Sequence, residues 1–265
     1  MRSFKVDQLE VRVLESRAAL GQAAAEAVCG AIGEVLGRRG VANVMFAAAP
    51  SQNEFLAALV RMPVDWSRVN GWHMDEYIGL TEDAPQGFGN FLRERLFARV
   101  PFRRVAFMRT LEEYAHLLAG HPIDIVVLGI GENMHLAFND PHVALFDDPE
   151  VVKVVELDED CRAQQVGDGC FMALEEVPRR AMTVTIPALM RAEYIFGVVP
   201  GRNKSDAVWR TLNKDVSERY PATILRRHPR AILFLDEDSA ARPGDGTDSS
   251  ARAAEDDESV SSVQS

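Results

Sequence analysis

The stretch DIVVLGIGENMHLAFNDP, residues 124–141, decides how the chain folds. It opens with the apolar run IVVL at 125–128, which is typical of a parallel strand that is covered on both faces. Gly129 and Gly131 then end the run and allow the backbone to turn tightly. In an open parallel sheet, ligands bind beyond the carboxyl ends of the strands. The stretch therefore predicts a central strand that leads into a binding site.

Four polar side chains follow these glycines within eight positions: Asn133, His135, Asn139 and Asp140. A single histidine after a strand would be read as a surface residue in a turn. Here the histidine is flanked by amide and carboxylate groups, and this density of polar groups favours a site over a plain turn.

Apolar segments alternate with helical segments along the rest of the chain. The helix predicted at 15–39 carries apolar residues at every fourth position, and Gly40 ends it. Strands are predicted at 6–14, 41–48, 68–75, 104–108, 125–128, 151–157, 181–186, 194–199 and 231–235, and the other helices at 51–60, 87–100, 110–119 and 204–212. This alternation predicts an α/β fold in one Rossmann-like domain, residues 1–238, with a mostly parallel sheet and helices on both faces.

The composition favours a globular protein in a reducing compartment and argues against a membrane-spanning or secreted one. The chain has 265 residues, of which 47% are hydrophobic, so one large core can form. No apolar run approaches the roughly 20 residues of a membrane span, and the charged N-terminus does not resemble a signal peptide. The three cysteines show no CxxC spacing, which predicts a reduced cytoplasmic protein without a metal site.

The charge is negative and uneven. The formal net charge is −11, and residues 237–265 contribute eight acids and two arginines to it. Residues 239–265 are rich in Ser, Asp and Glu, which predicts an acidic, Ser-rich disordered tail. A partner-binding role for that tail is the alternative. The acidic balance argues against nucleic acid as a partner.

Two segments carry a family resemblance. HMDEYIGL, at 73–80, resembles the MDEY motif of glucosamine-6-phosphate deaminases, and GIGENMHLAFNDP, at 129–141, resembles their histidine-containing segment. The resemblance extends over about residues 40–236. It implies a NagB-type fold and an isomerising deaminase that converts glucosamine 6-phosphate to fructose 6-phosphate and ammonia without a cofactor.

The resemblance also implies roles for individual residues. Asp75 would move a proton between two adjacent carbons of the sugar, and His135 would open the sugar ring. Asn133 and Asp140 stand where the family flanks its histidine with two carboxylates. An amide at Asn133 can fix the imidazole tautomer but supplies no charge, so ring opening is predicted to be slower than with Asp there. Met134 stands in place of a glycine, which would be strained if that turn needs a positive φ.

The substrate would be held by a separate group of residues. The resemblance makes Lys204 the phosphate-binding cation and places Ser51 at a phosphate-binding loop. Ser51 also opens the capping-box pattern SQNE, so a plain helix cap is the equal alternative. Glu76 and Gly131 complete the predicted substrate-binding set. An arginine of the family has no counterpart near Cys170.

Three functions remain open on the sequence alone. The first is the deaminase, whose small-molecule sugar phosphate would be its partner and for which a homo-oligomer is left open. The second is a 6-phosphogluconolactonase, a hydrolase of the same fold in which the histidine would activate water. The third is a non-enzymatic regulator that binds a sugar phosphate.

Overall fold

A computed structural model describes residues 1–242. The strands are β1 (Arg2–Val6), β2 (Leu9–Leu14), β3 (Ala42–Phe46), β4 (Val69–His73), β5 (Asp75–Tyr77), β6 (Arg104–Ala106), β7 (Ile125–Leu128), β8 (Val152–Glu156), β9 (Arg180–Val184), β10 (Tyr194–Val199) and β11 (Ala231–Asp236). The α-helices are α1 (Arg17–Arg39), α2 (Asn53–Leu59), α3 (Phe88–Leu92), α4 (Leu111–Gly120), α5 (Glu159–Gly167), α6 (Ile186–Met190) and α7 (Ser205–Asn213).

Eight strands form the main sheet in the order β1-β2-β11-β10-β7-β3-β4-β6. All neighbouring pairs are parallel except β1 and β2, which form an antiparallel hairpin. The α/β prediction with a mostly parallel sheet is therefore confirmed. The predicted strand at 6–14 begins too early, because Val6 ends β1, Asp7 turns the chain with a φ of 52°, and β2 covers Leu9–Leu14.

Helices cover both faces of the main sheet at its central strand, β7. Successive side chains of a strand point to opposite faces, so they pack against different helices. Val127 packs with the helices α1, α2 and α3 on one face. Val126 and Leu128 pack with α4, α6 and α7 on the other. The apolar run at 125–128 is thus the central strand that the sequence predicts.

A second, antiparallel sheet contains β5, β9 and β8 in that order. The predicted strand at 68–75 lies in the main sheet as β4 up to His73, but Asp75 and the predicted strands at 151–157 and 181–186 belong to this second sheet, so their placement in the mostly parallel sheet was wrong. The chain leaves the main sheet at His73, and Asp75 starts β5, which pairs with β9 through Asp75 and Thr183. Strand patterns show where strands lie, but they do not show which sheet a strand joins.

Two helical predictions also need correction. Ser51 does not cap a helix, because residues Pro50–Gln52 form a 3₁₀ turn before α2 and its N-cap makes no side-chain hydrogen bond. The helix α5, capped by Asp158 through the amide of Cys161, was not predicted. Its sequence EDCRAQQVG is mainly polar and gives a weak apolar pattern.

The helix α1 is long and apolar enough to span a membrane by length and composition alone. In the fold it packs on the sheet, and nine of its 23 residues are buried, Val28 and Val35 completely. Its apolar character is therefore accounted for by the core.

The predicted tail begins too early at residue 239. Ser239 is fully buried, and its backbone amide donates a hydrogen bond to Asp236 Oδ1 at 2.8 Å. Ser239 and Ala240 therefore pack against the folded domain. The remainder of the predicted disordered tail, 243–265, lies outside the described residues.

Candidate active site

A cleft opens where the strand order of the main sheet reverses. From β3 the chain continues through β4 to β6 on one side, and from β7 it continues through β10 to β11 on the other. The neighbours β3 and β7 thus form the switch point at which open α/β sheets bind ligands. The cleft has about 480 Å³ of empty space, part of it open to solvent. The predicted residues that line it are Ser51, Asp75, Gly131, His135 and Lys204.

Asp75 lines this cleft as a buried acid. The residue is only 6% exposed, and its carboxylate makes no hydrogen bond to any group within residues 1–242. Burial, and then the charge of Glu76, raise the pKa of Asp75 well above its usual range. A desolvated carboxylate of this kind is a stronger base than one in water, which suits it to take a proton from carbon.

Glu76 points away from the cleft, unlike its neighbour Asp75. Successive residues of a strand face opposite sides, and both residues belong to β5. The carboxylate of Glu76 accepts hydrogen bonds from the amides of Phe88 at 3.0 Å and Gly89 at 2.8 Å. It therefore binds the N-terminus of α3, where free amides favour a negative charge. The predicted substrate contact of Glu76 does not fit this placement.

His135 is held over Gly131 by the loop that follows β7. The amide of Gly131 donates to the carbonyl of His135 at 3.0 Å, and the amide of Met134 donates to the carbonyl of Gly131 at 2.9 Å. A Cβ atom on Gly131 would lie 2.3 Å from Cε1 of the imidazole, so only glycine allows the ring to lie there. Met134, which stands where the family has glycine, adopts a φ of 69°. A positive φ is strained for a residue other than glycine, as expected if this turn needs one.

Asp140 is the direct partner of His135. Its Oδ1 lies 3.0 Å from Nδ1 of the imidazole, although the N–H is not aligned with that oxygen and makes no well-formed hydrogen bond. Burial raises the pKa of Asp140, but the adjoining His135, the amide of Asn133 and the backbone N–H of Asp158 outweigh it and lower the pKa overall. Asp140 is therefore a carboxylate that can stabilise an imidazolium.

Asn133 acts on Asp140 and not on the imidazole. Its Nδ2 donates to Asp140 Oδ1 at 3.1 Å and to Asp158 Oδ2 at 3.0 Å, and its Oδ1 accepts from the backbone amide of His135. The expectation that Asn133 fixes the imidazole tautomer was wrong, because Asp140 occupies that place. The spacing of residues along the sequence does not indicate that Asp158 lies beside Asn133 and Asp140.

Lys204 supplies a cation to the cleft from the turn after β10. It is only 4% exposed, and its ammonium forms no hydrogen bond or ion pair with any side chain described in residues 1–242. Burial lowers its pKa, and the more distant charges of Asp168 and Glu132 act in the opposite direction. A buried ammonium without a partner is costly, and an anion in the cleft would offset that cost.

Ser51 lines the same cleft as Lys204. Its Oγ accepts a hydrogen bond from Gln52 Nε2 at 3.1 Å, and the same Nε2 donates to the carbonyl of Val198 at 3.0 Å. Gly129 leaves room for this contact, since a Cβ there would lie 3.3 Å from Gln52 Nε2. The Ser51 hydroxyl donates no side-chain hydrogen bond within residues 1–242, so its proton is available to a ligand in the cleft.

Two parts of the site were missed by the sequence analysis. Gln164 and Gln165 line the cleft from the unpredicted helix α5. Cys161, on the same helix, offers a sulfur within 4.8 Å of donor atoms of His135 and Asp140. The sequence does contain one signal for α5. Asp158 is of a residue type that commonly caps the N-terminus of a helix, and its side chain caps α5.

A larger cavity lies on the other side of β5, with about 1080 Å³ of empty space. It is lined by Glu76, Asn90, Arg93 and Arg109 among others. Glu76 is bound there by backbone amides, and Arg109 is paired with Glu82. We place the candidate active site in the smaller cleft because the buried, unpaired acid and lysine lie there.

Comparison with known protein families gives a match over most of the chain. Residues 15–233 match the family model described as glucosamine-6-phosphate isomerases/6-phosphogluconolactonase. The chain belongs to this family. The motif resemblance of residues 73–80 and 129–141 is thereby confirmed.

Relatives of this family cover most of the chain. A glucosamine-6-phosphate deaminase of Streptococcus pyogenes serotype M1 is 30% identical over 212 residues, which are 77% of this chain and 88% of the relative. A glucosamine-6-phosphate deaminase of Bacillus cereus (strain B4264) is 35% identical over 191 residues, which are 69% of this chain and 71% of the relative.

Solved structures of the family share the fold. A monomeric glucosamine-6-phosphate deaminase of the NagB superfamily superimposes with a TM-score of 0.79 at 24% identity, over 87% of this chain and 98% of that chain. A 6-phosphogluconolactonase from Shewanella baltica superimposes with a TM-score of 0.70 at 18% identity, over 88% of this chain and 100% of that chain. At these identities the likeness establishes the NagB-type fold.

Proposed function

We propose that this protein is an isomerising deaminase of an amino-sugar phosphate, which converts glucosamine 6-phosphate and water to fructose 6-phosphate and ammonia. The observation that carries the proposal is the single cleft that holds a buried carboxylate, Asp75, a histidine with its carboxylate, His135 and Asp140, and an unpaired lysine, Lys204. Relatives at 30% and 35% identity bear the name of this enzyme.

The first step is the opening of the sugar ring. The ring oxygen must gain a proton and the hydroxyl on C1 must lose one, and a histidine can transfer protons between such oxygens. His135 performs this transfer, and Asp140, whose Oδ1 lies 3.0 Å from its Nδ1, stabilises the charged imidazolium. Asn133 orients Asp140, so its role is to position the carboxylate.

The second step is the proton transfer between carbons. Asp75 takes the proton from C2 of the open-chain aldehyde and returns it to C1, while a second proton passes from the nitrogen to O1. The product carries an alcohol at C1 and an imine at C2. Water adds to the imine carbon and ammonia leaves, which gives the ketose phosphate.

The phosphate is bound away from the reacting carbons. Lys204 and Ser51 provide an ammonium and a hydroxyl from the turns after β10 and β3. A charge-assisted hydrogen bond to phosphate contributes about 1.5–3 kcal/mol. Gly131 contributes by letting the imidazole lie close to the loop.

The cellular setting stays a prediction. The free cysteines Cys29, Cys161 and Cys170 suit the cytoplasm. Cell fractionation tests this location. Light scattering of the purified protein tests whether it forms a homo-oligomer.

The function is tested with a panel of substrates. Purified protein is incubated with glucosamine 6-phosphate, with N-acetylglucosamine 6-phosphate and with 6-phosphogluconolactone, and ammonia, ketose phosphate and acid release are measured. The proposal predicts equal amounts of ammonia and fructose 6-phosphate from glucosamine 6-phosphate alone. Acid release from the lactone without ammonia would assign the hydrolase activity instead, and binding of the sugar phosphate without turnover would assign a regulator.

A further inference from the structure

Behind the imidazole of His135, three different donor atoms meet in the protein interior. A ring nitrogen of His135, a carboxylate oxygen of Asp140 and Sγ of Cys161 all lie within 4.8 Å of one another, Nδ1 lies 3.0 Å from Asp140 Oδ1, and all three residues are buried. Zinc sites with bond lengths of about 2.0–2.3 Å place neighbouring ligand atoms roughly 3.4 Å apart. Small side-chain rotations are therefore enough to bring the three atoms onto one ion.

The imidazole nitrogen at this place has no aligned partner. Nδ1 of His135 is shielded from solvent and forms no well-formed hydrogen bond within the described residues, although Asp140 lies beside it. His135 as a whole is only 9% exposed. A buried polar atom left in this state indicates a missing partner, and a metal ion on its lone pair would be one.

The three donors are held firmly by their surroundings. Asp140 accepts from Asn133 at 3.1 Å and from the amide of Asp158 at 3.3 Å. Cys161 lies in the first turn of α5, where its amide is bound by Asp158 Oδ1 at 2.6 Å. Such outer partners orient metal ligands and tune their affinity.

The chemistry of the donors selects the ion. A nitrogen, an oxygen and a sulfur donor suit Zn²⁺, whereas Mg²⁺ and Ca²⁺ prefer oxygen alone. We propose that His135, Asp140 and Cys161 form a Zn²⁺ site, and that Zn²⁺ bound there inhibits the enzyme. The thiol of Cys161 would release its proton to solvent as it binds the ion.

The inhibitory part rests on the proposed function. An ion on Nδ1 of His135 and on Asp140 would occupy the carboxylate that stabilises the imidazolium, so His135 could no longer exchange protons with the sugar. Zinc would thus stop ring opening without blocking the phosphate site at Lys204.

The test measures metal binding apart from activity. Co²⁺ is added to the metal-free protein as a spectroscopic substitute for Zn²⁺, and the near-ultraviolet thiolate band and the visible bands are recorded. The matched variants are Cys161→Ser, Cys161→Ala and Cys170→Ser, because Cys170 is a cysteine outside the cluster. His142→Ala controls for a second group, Asp140, His142 and Asp158, which also lies close together.

We expect the thiolate band in the wild type, in Cys170→Ser and in His142→Ala, and its loss from both Cys161 variants. Stoichiometric Zn²⁺ should displace the Co²⁺, and the Zn²⁺ affinity of the Cys161 variants should fall by more than the 10–100-fold that loss of an outer partner causes. No band in the wild type, or a band that survives in Cys161→Ser, would overturn the site. Binding without inhibition of a demonstrated deaminase would overturn only the inhibitory part, and binding in a protein without deaminase activity would instead count against the proposed function.

Discussion

The side-chain amide of Asn133 donates a hydrogen bond to Asp140 Oδ1 at 3.1 Å, while the same nitrogen donates to Asp158 at 3.0 Å. Two carboxylates are thus held apart and oriented by one neutral donor. This relationship reverses an expectation from sequence, in which a carboxylate at position 133 would assist the histidine.

Asn133→Asp should weaken both the fold and the activity. The change removes both hydrogen bonds and places a third carboxylate between two others, which should cost about 1–3 kcal/mol in the free energy of unfolding. Urea unfolding and ammonia release measure the two effects. Gln22→Glu is the control, because Gln22 also donates to a carboxylate, that of Glu26, but on an exposed helix face where the cost is only a few tenths of a kcal/mol. A variant Asn133→Asp that is as stable as the wild type and faster would restore the expectation from sequence.

Gly131→Ala should displace the imidazole of His135. The new Cβ would lie 2.3 Å from Cε1 and 2.4 Å from Nδ1, so the ring must move. A misplacement of about 1 Å at a catalytic group costs on the order of 100-fold in rate, and we expect that loss in kcat for glucosamine 6-phosphate. Gly30→Ala on α1 is the matched control, because a Cβ there meets nothing within 4 Å. Wild-type turnover in Gly131→Ala would show that His135 is not needed where it lies.

Lys204→Met should bind substrate more weakly and yet be more stable. Loss of the ammonium removes a charge-assisted contact of about 1.5–3 kcal/mol, so KM should rise about 10- to 100-fold. At the same time the variant no longer buries an unpaired charge, and its melting temperature should rise. Lys5→Met, at an exposed strand position, should change neither quantity. A lower melting temperature with unchanged KM would mean that Lys204 is structural.

His73 should make the fold sensitive to acid. Its Nδ1 donates to the carbonyl of Asp75 at 2.9 Å and its Nε2 accepts from the amide of Met108 at 2.8 Å, so the ring is neutral in the folded protein. Burial lowers the pKa of His73. As the pH falls below about 6.5, the unfolded chain takes up a proton that the folded chain does not bind, and stability falls until the pH reaches the lowered pKa of the folded state.

The predicted loss of stability in acid is checked by the melting temperature measured from pH 8 to pH 5. These two pH values lie above and below the ordinary histidine pKa of about 6.5. His73→Asn should flatten the acid-side decrease, whereas His116→Asn, on the exposed face of α4, should leave it unchanged. An unaltered decrease in His73→Asn would assign the acid sensitivity to other groups. His228 is the next candidate, since its pKa is also lowered by burial.

The parts of the fold that depend on local pattern could be predicted from sequence. The central strand, the helix α1 and the strand Tyr194–Val199 follow from apolar runs and from spacing along one helix face. The membership of β5, β8 and β9 in a second sheet could not be predicted, because pairing between distant strands leaves no mark within either strand.

The candidate site likewise could be predicted where local motifs identify its residues, but not where it depends on contacts between distant segments. Motifs identified Asp75, His135 and Lys204, which the structure brings to one cleft. The direction of Glu76 depended on recognising β5 as a strand of its own, and the approach of Cys161 depended on a helix whose polar sequence hid it. Contacts between loops, such as that of Asn133 with Asp158, lie beyond what spacing along the chain can indicate.

The most direct test of the account is the rate of ammonia release from glucosamine 6-phosphate by Asp75→Asn. A general base contributes about 10²–10⁴-fold to the rate, so the variant should lose at least 100-fold in kcat while it keeps its KM, and its melting temperature should not fall, because it no longer buries an unpaired carboxylate. Asp83→Asn, an exposed acid of the neighbouring loop, should keep full activity. A loss of less than tenfold in Asp75→Asn, measured beside an active wild type, would contradict the assignment of proton transfer between carbons to this carboxylate.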